Sequence, residues 1–166
     1  MKETATPLEM LNLCHWLHLK ELILTADAQL RLLVVEARSQ SLTTAQSAEL
    51  DTDPLLKKLT SLARAIVVDT ECRQFELIWP FYLAYQIRNE SYYLPDKSAK
   101  ANGQVYQEHA SSAYLSYFKT ASFADDDFPG PQRHFSIFCQ DHVIDVLSTD
   151  APVVRLLDAQ TASLST

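Results

Sequence analysis

Reactive side chains gather most densely at Cys139-Gln140-Asp141-His142, where a thiol, a carboxylate and an imidazole fall within four positions. Such a set supplies a nucleophile, an orienting acid and a base if the fold brings the three groups into contact. Closeness along the chain does not achieve that by itself. A structural Cys139 beside a turn containing Asp141 and His142 is the simpler expectation, with a small hydrolase built from Cys139, His142, Arg88 and Glu90 as its rival.

A second group has a different chemistry. Gln86, Arg88 and Glu90 alternate along an extended segment on the same parity as Tyr82, and Tyr92 and Tyr93 follow directly. On an open face such a ladder only solvates the sheet or pairs with its neighbours. Inside an aromatic cleft it forms a hydrogen-bonding floor for a polar ligand or for a segment of a partner. A small-molecule pocket would be lined by Tyr82, Tyr85 and Tyr114. Of the 16 aromatic residues all but Trp16 lie between Phe75 and Phe138, so the second half of the chain is the expected recognition face.

Other chemistries are excluded or weak. Only Gly103 and Gly130 occur, so no glycine-rich phosphate loop and no G-x-S-x-G elbow can be written. Ser116-Tyr117-Phe118-Lys119 matches S-x-x-K but lacks the motifs that accompany it in acylating enzymes. In Cys14-His15-x-x-His18 a strand would send the two imidazoles to opposite faces, so neither a metal nor another cofactor is expected. The net charge is −7 and no basic cluster exceeds Lys57-Lys58, which argues against nucleic acid as a partner. No apolar run approaches the roughly 18 residues of a membrane span, and Met1-Lys2-Glu3-Thr4 leads into no signal-peptide core. A cytoplasmic location follows as the default. Cys14, Cys72 and Cys139 are odd in number and far apart, and are read as reduced core residues.

These groups need elements to hold them. From Phe75 to Ile87 every odd residue is apolar, which describes one long strand whose ringed face packs on a helix and which bends at Pro80. Residues 16–24 and 29–36 form a hairpin across Thr25-Ala26-Asp27-Ala28. Residues 38–50 read as a loop or weak helix. A helix from Pro54 to Val67 follows the caps Asp51, Thr52 and Asp53.

Residues 94–104 and 119–133 read as loops, and Ala110, Tyr114, Tyr117 and Phe118 share a helical face. Parity changes near Gln140-Asp141, as in a tight hairpin or a bulged strand, and Pro152 opens a last helix through Leu157. The sum is a single α+β domain over residues 1–166, mostly antiparallel sheet with two to four helices packed on it, and with mobile ends at 1–6 and 161–166. The expected function is a non-enzymatic protein-interaction domain: an inhibitor, antidote or regulatory subunit that meets a basic partner protein, or a second copy of itself, through Tyr82, Gln86, Arg88, Glu90, Tyr92 and Tyr93.

Overall fold

The computed structural model describes residues 5–41, 64–97 and 99–157. Thr6 caps helix α1 (Pro7–Asn12) through a reciprocal exchange with Glu9, and the chain then enters β1 (Trp16–Leu24) and β2 (Leu30–Ser41). β3 (Arg64–Val67), β4 (Gln74–Trp79), β5 (Ala84–Asn89), a 3-10 turn (Glu90–Tyr92), β6 (Lys100–Gly103) and β7 (Tyr106–Ser111) follow. Helix α2 (Ala113–Ala121), β8 (Arg133–Phe138), β9 (His142–Ser148) and β10 (Val153–Leu157) complete the described chain. One sheet has the order β1-β2-β4-β10, with β3 paired to the far end of β2; the other runs β5-β9-β8-β7-β6. Every strand pairing in both is antiparallel.

The two sheets lie face to face, because each presents one apolar side and burial against the other is the largest stabilising option available. Leu32, Val34, Phe75, Leu77 and Trp79 of the first sheet meet Tyr106, Phe135, Ile137, Ile144 and Val146 of the second. Trp79 and Phe135 sit with ring centroids 6.1 Å apart, and Tyr106 stacks on Phe135 at 6.0 Å. Cys14, Cys72 and Cys139 are buried free thiols.

The α+β expectation is therefore wrong. Among the described residues the protein is mostly antiparallel β structure in two sheets with two α-helices, and the sheets bury one another instead of burying helices. The error is largest at Phe75–Ile87, which is two strands in different sheets. Phe75, Leu77 and Trp79 are fully buried, but Pro80 ends the first ladder and Phe81 swings out into solvent at 74% exposure. Ser148 Oγ donates to the Phe81 carbonyl at 2.6 Å and Leu83 N to the Leu147 carbonyl at 2.7 Å. Those two bonds fasten the crossing to β9, so the chain resumes as β5 with Tyr85 again packed on the core.

Smaller corrections have the same cause, since pairing partners distant in sequence override local signals. Val153–Leu157 is a strand filling the free edge of β4, not a helix opened by Pro152. Lys100–Gly103 and Arg38–Ser41 are strand segments rather than loop, and Ala110 belongs to β7, ahead of α2. Of the helix expected from Pro54 to Val67, residues 64–67 are strand β3 and the rest lies outside the described residues. The 161–166 tail also lies outside them. The hairpin β1/β2 is as read from the sequence, and of the two forms expected around Gln140-Asp141 the tight hairpin β8/β9 is the one present. Among the described residues no helix is long and apolar enough to cross a membrane.

Among the described residues the β1/β2 turn contains the one non-glycine residue with a positive φ. Ala28 adopts φ +57° while its N–H donates to the Thr25 carbonyl at 3.0 Å. A Cβ is disfavoured there by about 1–2 kcal/mol, partly offset by the freedom glycine has in the unfolded chain. Ala28→Gly is expected to raise stability by about 0.5 kcal/mol, read as a higher urea midpoint at unchanged slope.

Candidate functional site

The outer face of the second sheet carries a row of polar side chains that the sandwich core does not use. Strand alternation sends Phe135, Ile137, Ile144 and Val146 inward, which turns His134, Ser136 and Asp145 outward. Register then places Gln86, Asp145, Ser136 and Gln107 side by side across β5, β9, β8 and β7, with His134 opposite His109. Asp145 is the centre. Its carboxylate is 0% exposed, and a buried charge survives only with full compensation.

Compensation comes from four side chains. Oδ1 accepts from Ser136 Oγ at 2.6 Å and from His134 Nε2 at 3.1 Å, while Oδ2 accepts from Gln86 Nε2 at 2.8 Å and from Arg88 Nε and Nη2 at 3.0 and 2.7 Å. Burial alone would raise the Asp145 carboxyl, but the bonds from His134, Ser136 and Gln86 and the Arg88 charge outweigh it and hold the group at about 2.

The proton positions follow from this anion. An ionised Asp145 has no proton to give, so the Ser136 hydroxyl proton points at it and the Ser136 oxygen accepts from His109 Nε2 at 2.8 Å. His109 is thereby the Nε2–H tautomer. Its Nδ1 is buried and has no hydrogen-bond partner among the described residues. His134 donates from Nε2 to Asp145 and uses Nδ1 on Ser112 Oγ at 2.8 Å, and the two imidazoles stack at 4.2 Å. Burial first, then the neighbouring His134, pushes His109 down to about 4, so it is neutral near pH 7.

A wall and a roof close over this floor. Ser112 caps α2 by accepting from Leu115 N at 3.1 Å, and the Asp96 carboxylate accepts from Ala113 N at 2.6 Å, tying the segment after β5 to the start of that helix. Between them lies a cleft of about 970 Å³ with Arg88, His109 and Ser136 among its floor residues. Tyr93, Leu94, Tyr114, Tyr117 and Phe138 give it an apolar, aromatic wall. The Arg88 guanidinium lies 4.9 Å from the Tyr93 ring centroid, and Tyr93 meets Phe138 edge-on at 5.4 Å. Burial raises the Tyr114 phenol to about 12 and shifts Tyr93 upward too, so both remain neutral.

The residues singled out from sequence divide among several places. Gln86, Arg88, Tyr93 and Tyr114 line the cleft. Tyr82 and Tyr85 pack on the core, edge to face at 5.6 Å, and Tyr92 is 88% exposed. Glu90, Cys139 and Asp141 line a separate, smaller cleft of about 410 Å³ beside His15 and Trp16. Arg88 and Cys139 thus face different clefts, and His142 opens β9 opposite Asn89. Burial first, then Asp141, pushes the Cys139 thiol up to about 12, which leaves almost no thiolate near neutral pH. Among the described residues no three His, Cys, Asp or Glu side chains form a metal-binding group.

No spacing in the sequence groups Asp145, His109, His134 and Ser136. One signal was present: Asp145 between Ile144 and Val146 is a charge inside a buried apolar strand, and such a residue requires partners. No family model, no curated protein and no solved structure matches this chain. Its chemistry has to be argued from the side chains themselves.

A neutral, buried His109 gives stability a pH signature. The unfolded chain takes up a proton near pH 6.5 while the folded chain resists until about 4, so stability is lost as pH falls through that window. The loss approaches about 3 kcal/mol at its lower end. Asp145 has the same sign at lower pH, with stability present above its unfolded value of 3.8 and lost only towards 2, so its contribution stays nearly constant across the His109 window. Urea unfolding of wild type and His109→Gln between pH 7.5 and 4.5 should show the wild type falling more steeply, the two curves converging as pH decreases.

Proposed function

We propose that this chain binds a small, largely apolar organic molecule in the cleft over the second sheet. The observation that carries this reading is a cleft of about 970 Å³ whose aromatic wall surrounds a floor already locked by its own hydrogen bonds. Ligand sites of this size typically combine apolar walls with a few placed polar groups. A floor held by Asp145 loses little side-chain freedom when a ligand arrives, which favours affinity. Acyl transfer is less well supported, because Ser136 directs its proton at a carboxylate that needs it and is itself buried.

A blocking variant tests the reading. Ala101 lies on β6 at the cleft, exposed and opposite His109 in register, so Ala101→Trp should obstruct the space while suiting a strand. A library of aromatic fragments screened by ligand-observed NMR should yield binders that lose at least tenfold in affinity for Ala101→Trp. A library without binders, or binders indifferent to the tryptophan, would remove the proposal.

A partner-binding role has its own support. Phe123 is 91% exposed and Phe128 70%, both in the segment after α2, more apolar display than solubility favours. With a net charge of −7, a basic protein is the partner chemistry that fits. Affinity purification from native lysate with wild type and with the double variant Phe123→Ser, Phe128→Ser discriminates. A stoichiometric partner lost by the variant is expected, and equal recovery by both would sink this second reading.

A further inference from the structure

We propose that the ligand of this cleft is uncharged and carries a hydrogen-bond acceptor of the carbonyl type, which takes the unused edge of the Arg88 guanidinium. This inference rests on the small-molecule reading above and specifies the chemistry of its ligand.

Arg88 has five N–H groups in a planar fork. Nε and Nη2 both turn to Asp145 Oδ2, at 3.0 and 2.7 Å, which uses the side edge of the guanidinium; among the described residues the Nη1 donors on the terminal edge have no partner. The Arg88 side chain is 38% exposed and lines the cleft. Its plane is held by the buried carboxylate on one side and by the Tyr93 ring, 4.9 Å away. An acceptor entering the cleft therefore meets donors already fixed in direction; Ser136, both nitrogens of His134 and one amide hydrogen of Gln86 are committed to partners, and the unpartnered His109 Nδ1 is a buried acceptor that has no proton to offer it.

Charge decides between an anionic and a neutral acceptor. The ionic groups of the site are Arg88 and Lys97 against Asp145 and Asp96, two of each sign. Lys97 is exposed, so its charge is screened by water, while Asp145 lies directly behind Arg88 and already neutralises it. A carboxylate on the ligand would place a second anion in the field of Asp145 with no cation in excess. A carbonyl takes the same N–H groups without that repulsion. The remaining wall is aromatic and apolar, which favours a flat apolar body behind the acceptor.

Four naphthalene probes of similar shape test this by fluorescence or isothermal titration: 2-acetonaphthone with a neutral carbonyl, 2-ethylnaphthalene without a polar group, the anion 2-naphthoate and the cation 2-naphthylmethylammonium. The ketone is expected to bind at least tenfold more tightly than 2-ethylnaphthalene and more tightly than either ion. Arg88→Lys keeps the charge beside Asp145 but loses the fork. In that variant the ketone's advantage over 2-ethylnaphthalene should fall below threefold. Binding of 2-ethylnaphthalene to the variant, where Ala101→Trp still abolishes it, shows that the variant cleft is folded, and the test is read as the ratio of the two affinities within each protein. If the ketone and 2-ethylnaphthalene bind wild type equally, or if naphthoate binds best, the inference is overturned while the cleft remains a ligand site. If none of the four binds in a way that Ala101→Trp abolishes, the small-molecule reading itself fails.

Discussion

A carboxylate with no exposed surface is the constraint to which the second sheet is built. Left unpaired, Asp145 would cost several kcal/mol, and its immediate neighbours Ile144 and Val146 face the core and offer nothing polar. Compensation therefore has to arrive laterally, from Gln86 and Arg88 on β5 and from His134 and Ser136 on β8. That requirement specifies register. A slip of one residue in either flanking strand would exchange these donors for Tyr85, Ile87, Phe135 or Ile137, leaving the anion buried without a partner as well as turning the apolar side out.

The network reaches beyond the floor. His134 passes from Asp145 to Ser112, which caps α2, so the start of the helix over the cleft is positioned by a hydrogen-bond path from the buried anion. Arg88 extends the path to the other wall through Tyr93, and Tyr93 reaches Phe138. Floor and walls are thus parts of one arrangement, and the shape of the cleft is coupled to the ionisation of one carboxyl group. His109 is the loose end of that arrangement, since its tautomer is dictated through Ser136 while its Nδ1 is left without a partner.

What could be read in advance was local. The hairpins β1/β2 and β8/β9 announce themselves through alternation on both sides of a polar interruption; of the polar ladder Gln86, Arg88 and Glu90 with Tyr82, Tyr92 and Tyr93, only Gln86, Arg88 and Tyr93 line the cleft. What could not be read depends on partners far along the chain. Continuous odd parity from Phe75 to Ile87 looks like one strand because Phe75, Leu77 and Trp79 of β4 and Tyr85 of β5 pack on the same inter-sheet core, although Pro80 divides the two pieces between sheets and Phe81 and Ile87 are exposed. Pro152 after Asp150 imitates a helix start, and only the open edge of β4, some 75 residues earlier, makes Val153–Leu157 a strand. Lys100–Gly103 is wholly exposed and has no apolar alternation to detect. The Asp145 cluster joins residues 86, 88, 134, 136 and 145, and its existence depends on strand order β5-β9-β8.

Strands β5, β8 and β9 therefore serve two masters on opposite faces. Inward they supply Tyr85, Phe135, Ile137, Ile144 and Val146 to the packed interior; outward they hold an ion-paired network that a purely apolar layer of equal volume would match or exceed in stability. A sheet whose only task was to fold could cover its outer side with leucine and valine beneath α2. Retaining a buried anion, two stacked imidazoles and a partly exposed arginine there instead makes sense when the polar groups face something that arrives from outside. The cleft over them is where it would arrive, and the free edge of Arg88 is the part of the network that folding alone leaves without an explanation.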